Sequence, residues 1–397
     1  MIPRKISIHQ IGLGSADWDG AADTMLLVRQ MLGELGFNSE IFVDGGGGAG
    51  ASPVRHVSEL RLRAHDLLLI HHGGFQDRLD WLAGLRCRKA LIYHGMTPPR
   101  YFAHDTRDYR LSVRAHAQLA TLRGVVEAGI ALSSPSARGL RQRGFADVTV
   151  IPFFKDSTNL RFTEYFNPVD PERFPGFRIV NIGKIVDDNH QRDLLRFLDR
   201  VRSIDGLALE LILIGQGASD PRYRAALDED IRGSGLADRV VVVEGVSQNA
   251  VAGYCRTANA YLSLSERDAA LGPIFAAMAL DLPVVAYAAP GVPDPLGDAA
   301  MVIRSRDPAT IRDTLGVLLR DRPRRRALIR GAREHSGAER TDRVLRDFRQ
   351  WLIARGAYET RKLIARLVGM HITQASAVES IRLRVEAITT DDPSVLS

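Results

Sequence analysis

Cysteine is scarce in this chain of 397 residues: the two that occur, Cys87 and Cys255, lie far apart with no paired spacing. Neither a disulfide framework nor a zinc site is indicated, because both need several cysteines or histidines at short, regular intervals. No apolar run approaches the ~20 residues that a membrane-spanning helix requires. The first residues, Met1 to Lys5, lead straight into a strand-like segment without the pattern of a secretory signal. We expect a cytoplasmic protein that needs no metal cofactor.

Acidic residues are fewer than basic ones, and the formal net charge is +6. A basic excess can indicate nucleic acid, anionic lipid or phosphate-bearing ligands. Part of the excess is concentrated in Arg324–Arg326, Arg330 and Arg333, where no aromatic residues are interleaved, so we expect no nucleic-acid partner. The simplest interpretation of this cluster is a solvated helix face. Peripheral contact with the inner face of a membrane stays open as an alternative.

Short apolar segments alternate with helical patterns along most of the chain, which is typical of α/β proteins with parallel sheets covered on both faces. Strands are predicted at 5–11, 39–43, 66–70, 89–93, 128–132, 148–151, 178–182, 209–214, 239–243, 260–264 and 284–286. In the connection after the strand at 128–132, Ser134 is the predicted N-cap and Pro135 the first helical residue.

The alternation breaks at residues 155–177, a stretch rich in Pro, Asn, Asp and aromatic residues. We interpret it as a connection between two domains, which the chain is long enough to contain. The predicted boundaries are 1–160 for an N-terminal, acceptor-side domain and 161–338 for a donor domain. Residues 339–397 would form a helix around 340–355 that returns to the first domain, followed by a helical tail.

The most informative stretch runs from Ser265 to Tyr287, where a strand end, a tight loop, a helix and a buried strand follow one another. Gly272 and Pro273 open the predicted helix, and proline suits a first turn because its missing N–H would lack a partner there. The remaining N–H groups of that turn, at Gly272 and Ile274, form an anion site.

This stretch resembles the donor-site motif of glycosyltransferase family 4, in which a loop glutamate is followed eight positions later by a second glutamate. Asp268 and Ala276 stand at those two positions here. Residues 183–191, 285–296 and 92–99 also resemble the family. The resemblance implies a GT-B fold, in which two Rossmann-like domains face a cleft and a C-terminal helix crosses back. It also implies metal-independent transfer from a nucleotide sugar with retention of configuration.

The resemblance assigns roles to individual residues as well. Lys184 stands at the family's arginine position and would stabilise the leaving diphosphate, although lysine lacks the bidentate fork of arginine. Asn189 replaces a lysine, and His190 beside it is expected to compensate in part. Asp268 would bind hydroxyls of the donor sugar with a reach roughly 1.5 Å shorter than that of glutamate. Ala276 cannot bind ribose hydroxyls, and Glu266, two positions from the motif, is not assigned the missing role.

Further candidates follow from position in the fold. His94 comes after a buried strand at the carboxyl edge of the first sheet, where ligands bind in open α/β folds, and similar enzymes place a histidine there against the donor sugar. His71 and His72 are weaker candidates, and one of them is expected to face the core. Further contacts with the donor are predicted at Gly14, Gly183, Gly215 and Ser247, the last as the N-cap of a helix.

The sequence thus predicts a retaining hexosyltransferase whose substrates are a nucleotide sugar and a glycan or lipid-linked glycan. Lys184, Asn189 and Ala276 all weaken the donor motif, so a second hypothesis is a catalytically degenerate GT-B protein that binds a partner or glycan without turnover. A sugar-nucleotide epimerase of related fold is a third alternative. The sequence identifies neither the donor base nor the sugar.

Overall fold

The computed structural model describes residues 6–12, 21–44, 54–102, 104–153, 176–215, 220–266, 271–289, 296–336 and 338–356. These segments form two α/β units, each built on one twisted sheet. None of the helices in these segments is both long enough and apolar enough to cross a bilayer.

The N-terminal sheet is entirely parallel, with the strand order β3-β2-β1-β4-β5-β6-β7. Its strands are β1 (Ile8–Gly12), β2 (Ile41–Val43), β3 (Val54–His56), β4 (Leu67–His72), β5 (Arg88–Tyr93), β6 (Ala128–Ala131) and β7 (Val148–Val150). The helices of this unit are α1 (Ala21–Glu34), α2 (Leu79–Gly84), α3 (Arg107–Val125) and α4 (Ser134–Gln142). All residues of β1 and β4 are buried, as expected for central strands with helices on both faces.

The C-terminal sheet has the order β11-β10-β8-β12-β13-β14, and the short β9 joins β10 as the antiparallel exception. Its strands are β8 (Phe177–Gly183), β9 (Ser203–Ile204), β10 (Leu207–Gly215), β11 (Val240–Glu244), β12 (Ala260–Ser263), β13 (Val284–Tyr287) and β14 (Met301–Ile303). Its helices are α5 (Gln191–Arg200), α6 (Pro221–Ser234), α7 (Gln248–Thr257), α8 (Leu271–Ala279), α9 (Pro308–Arg320) and α10 (Arg322–Ser336).

A last described helix, α11 (Ala338–Ala354), returns to the N-terminal unit. Its buried residues Val344, Phe348, Trp351 and Leu352 belong to the same apolar cluster as Ile8 and Ile92. The ring of Phe348 packs edge-on against that of Phe153, with the centroids 5.1 Å apart. This packing confirms the predicted fold, in which two Rossmann-like units are followed by a helix that crosses back.

Local differences from the prediction have simple causes. The strands β3, β9 and β14 were not predicted; in β3 two of the three residues are polar and exposed, so there is no apolar run. Ser133, and not Ser134, is the N-cap of α4, since its side chain accepts a hydrogen bond from the Ser136 N–H; Pro135 is therefore the second helical residue. The boundary predicted between residues 160 and 161 lies outside the described residues.

Replacing Phe348 tests how much α11 contributes to the N-terminal unit. Phe348 is fully buried, so Phe348→Ala removes the aromatic ring and leaves a cavity beside Phe153. We expect a loss of about 3–5 kcal/mol in the free energy of unfolding, measured by urea denaturation. Phe348→Leu is the matched control and should cost clearly less. Equal effects for both variants would contradict the proposed packing role.

Candidate functional site

The candidate donor site lies at the carboxyl edge of the C-terminal sheet. Strand β8 runs between β10 and β12, and Gly183 at its end is in register with Gly215 at the end of β10. Strand β12 ends at Ser263, directly before the loop that carries the resemblance motif. Because parallel strands end on the same edge, the loop after β8 emerges between the loops after β10 and β12, where open α/β sheets bind ligands.

Lys184 follows β8 at this edge and is partly exposed. Its main-chain oxygen accepts hydrogen bonds from Asn189 Nδ2 and Gln191 Nε2, both at 2.7 Å. Its ammonium group makes no hydrogen bond or ion pair with the part of the chain that the structure describes. The backbone of Lys184 is therefore fixed, while its charge is available to a ligand.

Asn189 is buried, and its side chain joins two loops by hydrogen bonds. Its Nδ2 donates to Lys184, and its Oδ1 accepts a hydrogen bond of 2.9 Å from the hydroxyl of Ser265. The Ser265 hydroxyl and the Glu266 N–H also lie within hydrogen-bond distance of the Asp188 carbonyl. Asn189 replaces the lysine of the family motif, but it also has a structural role, because its side chain hydrogen-bonds both loops.

His190 does not provide the free compensating cation that the sequence suggested. It takes the left-handed backbone conformation, with φ of 57°, between the Asp187–Asn189 turn and α5. Its Nδ1 lies 2.7 Å from Asp193, and its Nε2 lies 3.3 Å from Glu266. The hydrogen bond from His190 lowers the pKa of Asp193, with a smaller contribution from Arg196. Both ring nitrogens therefore face carboxylates.

Glu266 connects the two units of the molecule, a role that the sequence analysis missed. Its carboxylate accepts hydrogen bonds from the Tyr101 hydroxyl and from Arg306 Nη1, the latter at 2.8 Å. Tyr101 belongs to the short 3-10 helix Pro99–Tyr101 of the N-terminal unit. Partial burial raises the pKa of Glu266, but the hydrogen bonds from Tyr101 and Arg306 outweigh it and the net shift is downward.

Helix α8 begins at Leu271, two residues before Pro273. Gly272 and Pro273 therefore lie in its first turn as predicted, and Ile274 is fully buried against the sheet. Since Pro273 lacks an N–H, the main-chain donors nearest the start of the helix belong to Leu271 and Gly272. Ala276 is partly exposed. Asp268 lies outside the described residues, so its role stays a prediction.

Two further candidates have structural functions that the geometry makes clear. A Cβ at Gly215 would lie 2.5 Å from Glu244 Cγ, so glycine leaves room for the side chain of Glu244 on the neighbouring strand β11. Ser247 is the N-cap of α7, as predicted, and its hydroxyl accepts a hydrogen bond from the Ala250 N–H at 3.3 Å. Whether either residue, or Gly183, touches a donor stays a prediction.

On the N-terminal side, His94 follows β5 at the carboxyl edge and is partly exposed. Its Nε2 lies 2.9 Å from Nδ1 of His71, and His71 Nε2 lies 2.9 Å from Gln10 Oε1. Burial and the neighbouring His72 lower the pKa of His94 to about 4. His71 and His72 are both buried, whereas the sequence analysis expected only one of them to face the core. Gly14 lies outside the described residues.

The described residues contain no group of three or more His, Cys, Asp or Glu side chains arranged to hold a metal ion. The described polar side chains at the two edges include the ammonium of Lys184, the ion pair of Arg306 with Glu266, and the imidazoles of His71 and His94.

Comparisons with known proteins show a GT-B fold and a family-model match over part of the chain. Residues 176–321 match the family model "Glycosyl transferases group 1". A search of curated protein sequences gives no match. The similar solved structures are distant in sequence, so their likeness shows the fold alone.

Three of these structures illustrate the likeness. Anabaena HepE in complex with UDP-glucose is 14% identical, with a TM-score of 0.67, over 87% of this chain and 99% of HepE. Sucrose-phosphate synthase from Thermosynechococcus elongatus is 16% identical, with a TM-score of 0.62, over 88% and 100%. WaaG, a glycosyltransferase involved in lipopolysaccharide biosynthesis, is 14% identical, with a TM-score of 0.57, over 85% and 98%.

The pKa of Glu266 gives a prediction about stability and pH. Because the folded-state pKa lies below the unfolded value of about 4.3, ionised Glu266 stabilises the fold above that pH. The contribution is lost as the pH falls through the folded-state pKa. We expect Glu266→Gln to lower the free energy of unfolding at pH 7 and to have a smaller effect near pH 3, measured by urea titration. An effect of equal size at both pH values would contradict the assignment.

Proposed function

We propose that this protein transfers a hexosyl group from a nucleotide sugar to a glycan or lipid-linked glycan, with retention of configuration. The observation that carries the proposal is the ammonium of Lys184, which has no partner among the described residues, at the carboxyl edge of the sheet whose residues match the glycosyltransferase family model. A nucleoside diphosphate leaves with developing negative charge, and a fixed cation at this edge would stabilise it.

The other parts of the site have complementary roles in this proposal. The N–H groups of Leu271 and Gly272 would bind the diphosphate together with Lys184, so that the reaction needs no metal. Asp268 would bind donor-sugar hydroxyls, and His94 would contact the sugar from the opposite unit. Retention follows from attack guided by the departing diphosphate, without a dedicated enzymic nucleophile.

The choice of substrates is supported by two of the similar structures. HepE is described in complex with UDP-glucose, which makes a uridine donor the first to test. WaaG acts in lipopolysaccharide biosynthesis, which favours a lipid-linked acceptor. A lipid-linked acceptor would bring the protein from the cytoplasm to the inner membrane face, and the exposed arginines of α10, among them Arg324, Arg326 and Arg330, would suit anionic lipid there.

A thermal-shift screen against UDP, GDP, ADP and their sugars tests the proposal. A ligand present at 100 times its Kd stabilises the folded protein by about 2.7 kcal/mol, so a true donor should raise Tm measurably. The observation that favours the alternative, a degenerate GT-B protein, is the missing carboxylate at Ala276. Absence of any shift with all of these compounds would support that alternative over the transferase.

Lys184 gives a sharper test of the diphosphate site. Lys184→Met keeps the length of the side chain but removes its charge, and a charged hydrogen bond contributes about 1.5–3 kcal/mol. We expect UDP to bind about 10- to 100-fold more weakly, measured by calorimetric titration. Lys184→Arg, which keeps the charge, is the matched control and should bind UDP within a few-fold of the parent. Unchanged affinity in Lys184→Met would remove Lys184 from the site.

Ala276→Glu tests whether the donor motif can be repaired. The new carboxylate would lie on the second turn of α8 and would accept hydrogen bonds from ribose hydroxyls. We expect tighter binding of the best nucleotide by about one decade, the effect of one such hydrogen bond. Ala276→Gln keeps a similar volume and an acceptor but not the charge, and should give a smaller gain. If the parent chain binds no nucleotide and Ala276→Glu restores none, the transferase hypothesis fails.

A further inference from the structure

A chain of polar side chains leads from the buried sheet to His94. Gln10 lies on β1, His71 lies on the neighbouring β4, and His94 follows β5, the next strand across. Gln10 is 0% and His71 3% exposed, whereas His94 is partly exposed. The ring of His71 is held between the other two by hydrogen bonds of 2.9 Å on each of its nitrogens.

The direction of these hydrogen bonds follows from the chemistry of their atoms. Gln10 Oε1 can only accept, so His71 Nε2 carries a proton and donates it. At the other end of the amide, Nε2 lies 3.4 Å from the hydroxyl of Ser39, which accepts from it in this orientation and could donate to an oxygen in the flipped one, so the atom that faces His71 is the one the spectra below test. Burial lowers the pKa of His71 well below its usual value, with a smaller contribution from His94, so the ring is neutral at pH 7.

A neutral His71 with its proton on Nε2 has only a lone pair on Nδ1. It must accept at that atom, so His94 Nε2 is the donor of the hydrogen bond between the two rings. His94 is also neutral, because its pKa is lowered to about 4. Its second nitrogen, Nδ1, then carries a lone pair and makes no hydrogen bond with the described part of the chain.

We propose that Gln10 and His71 are positioning residues that hold His94 in the tautomer with its proton on Nε2 and its lone pair on Nδ1. His94 then offers a ligand a hydrogen-bond acceptor. This suits a sugar hydroxyl, which can donate, and does not suit a diphosphate oxygen, which cannot. The preference of His94 for the sugar part of a donor rests on the function proposed above, whereas the assignment of its tautomer does not depend on that function.

Long-range 1H–15N spectra of the 15N-labelled full chain test the tautomer, because protonated and unprotonated ring nitrogens give distinct signals. His94→Gln identifies the resonances of His94 by their loss. In the parent chain we expect protonated Nε2 and unprotonated Nδ1 for both His71 and His94. A proton on Nδ1 of His94 would overturn the proposal without any further variant.

Two matched glutamine variants test the cause. Gln10→Met removes the acceptor of His71 at similar volume, and His94 should then show a mixture of tautomers. Gln76 is also buried, at 2% exposure, but it donates to the main-chain carbonyl of His71 and not to its ring. Gln76→Met should therefore leave the tautomer unchanged. An unchanged tautomer in Gln10→Met, or equal changes in both variants, would refute the positioning role.

Turnover of UDP-glucose separates this inference from the function on which its consequence rests. If the parent is active, Gln10→Met should lower kcat about five- to tenfold, the effect of one hydrogen bond, while the Kd for UDP stays unchanged. Unchanged kcat would overturn the catalytic consequence, and a weakened Kd for UDP would show that His94 acts on the diphosphate. If the expected tautomers are found but the parent neither binds nor turns over any nucleotide sugar, the proposed function fails and the positioning role stands.

Discussion

The amide of Asn189 is the interaction on which the geometry of the donor side depends. It joins the main chain of Lys184 to the side chain of Ser265, so that the loop after β8 and the loop after β12 are fixed to each other. The side chain is 8% exposed, and loss of its partners would leave buried polar groups unsatisfied, at a cost of about 1–3 kcal/mol each. A lysine at this position could donate to Lys184 but could not accept from Ser265. Compared with a lysine, the asparagine therefore provides no charge but holds the two loops together.

Most of the fold could be predicted because a parallel sheet leaves a strong local pattern. Strands that are buried on both faces, such as Leu67–His72, form apolar runs that alternate with amphipathic helices. The return of α11 to the N-terminal unit rested on the family resemblance, since no local pattern indicates which core Phe348 joins. Strand β3 was not predicted because two of its three residues, Arg55 and His56, are polar and exposed, so it forms no apolar run.

The places of Lys184 and His94 in the fold were predictable, because each directly follows an apolar strand. Their roles came from the family resemblance and stay predictions. Glu266 was set aside because it is two positions from the motif, and Tyr101, its partner, lies 165 residues away in sequence. Such contacts depend on how the two units face each other, which no single stretch of sequence encodes. The hydrogen bonds that join Gln10, His71 and His94 were not predicted for the same reason, because these residues belong to three strands and strand ends that are far apart in the sequence.

Acidic side chains face most of the basic ones that the structure describes at the carboxyl edge of the C-terminal sheet. Arg306 and His190 lie beside the loop after β12, but Glu266 is within 2.8 Å of the first and 3.3 Å of the second, and Asp193 faces the other nitrogen of His190. The carboxylate of Glu266, this close to the guanidinium of Arg306, largely offsets its attraction for a second anion. Among the described residues at this edge, the ammonium of Lys184 is then the charge left for a diphosphate. Since Glu266 also accepts from Tyr101, the carboxylate that neutralises Arg306 is the same one that joins the two units. Any anionic ligand that drew Arg306 toward itself would therefore have to disrupt the contact between the two units at Glu266.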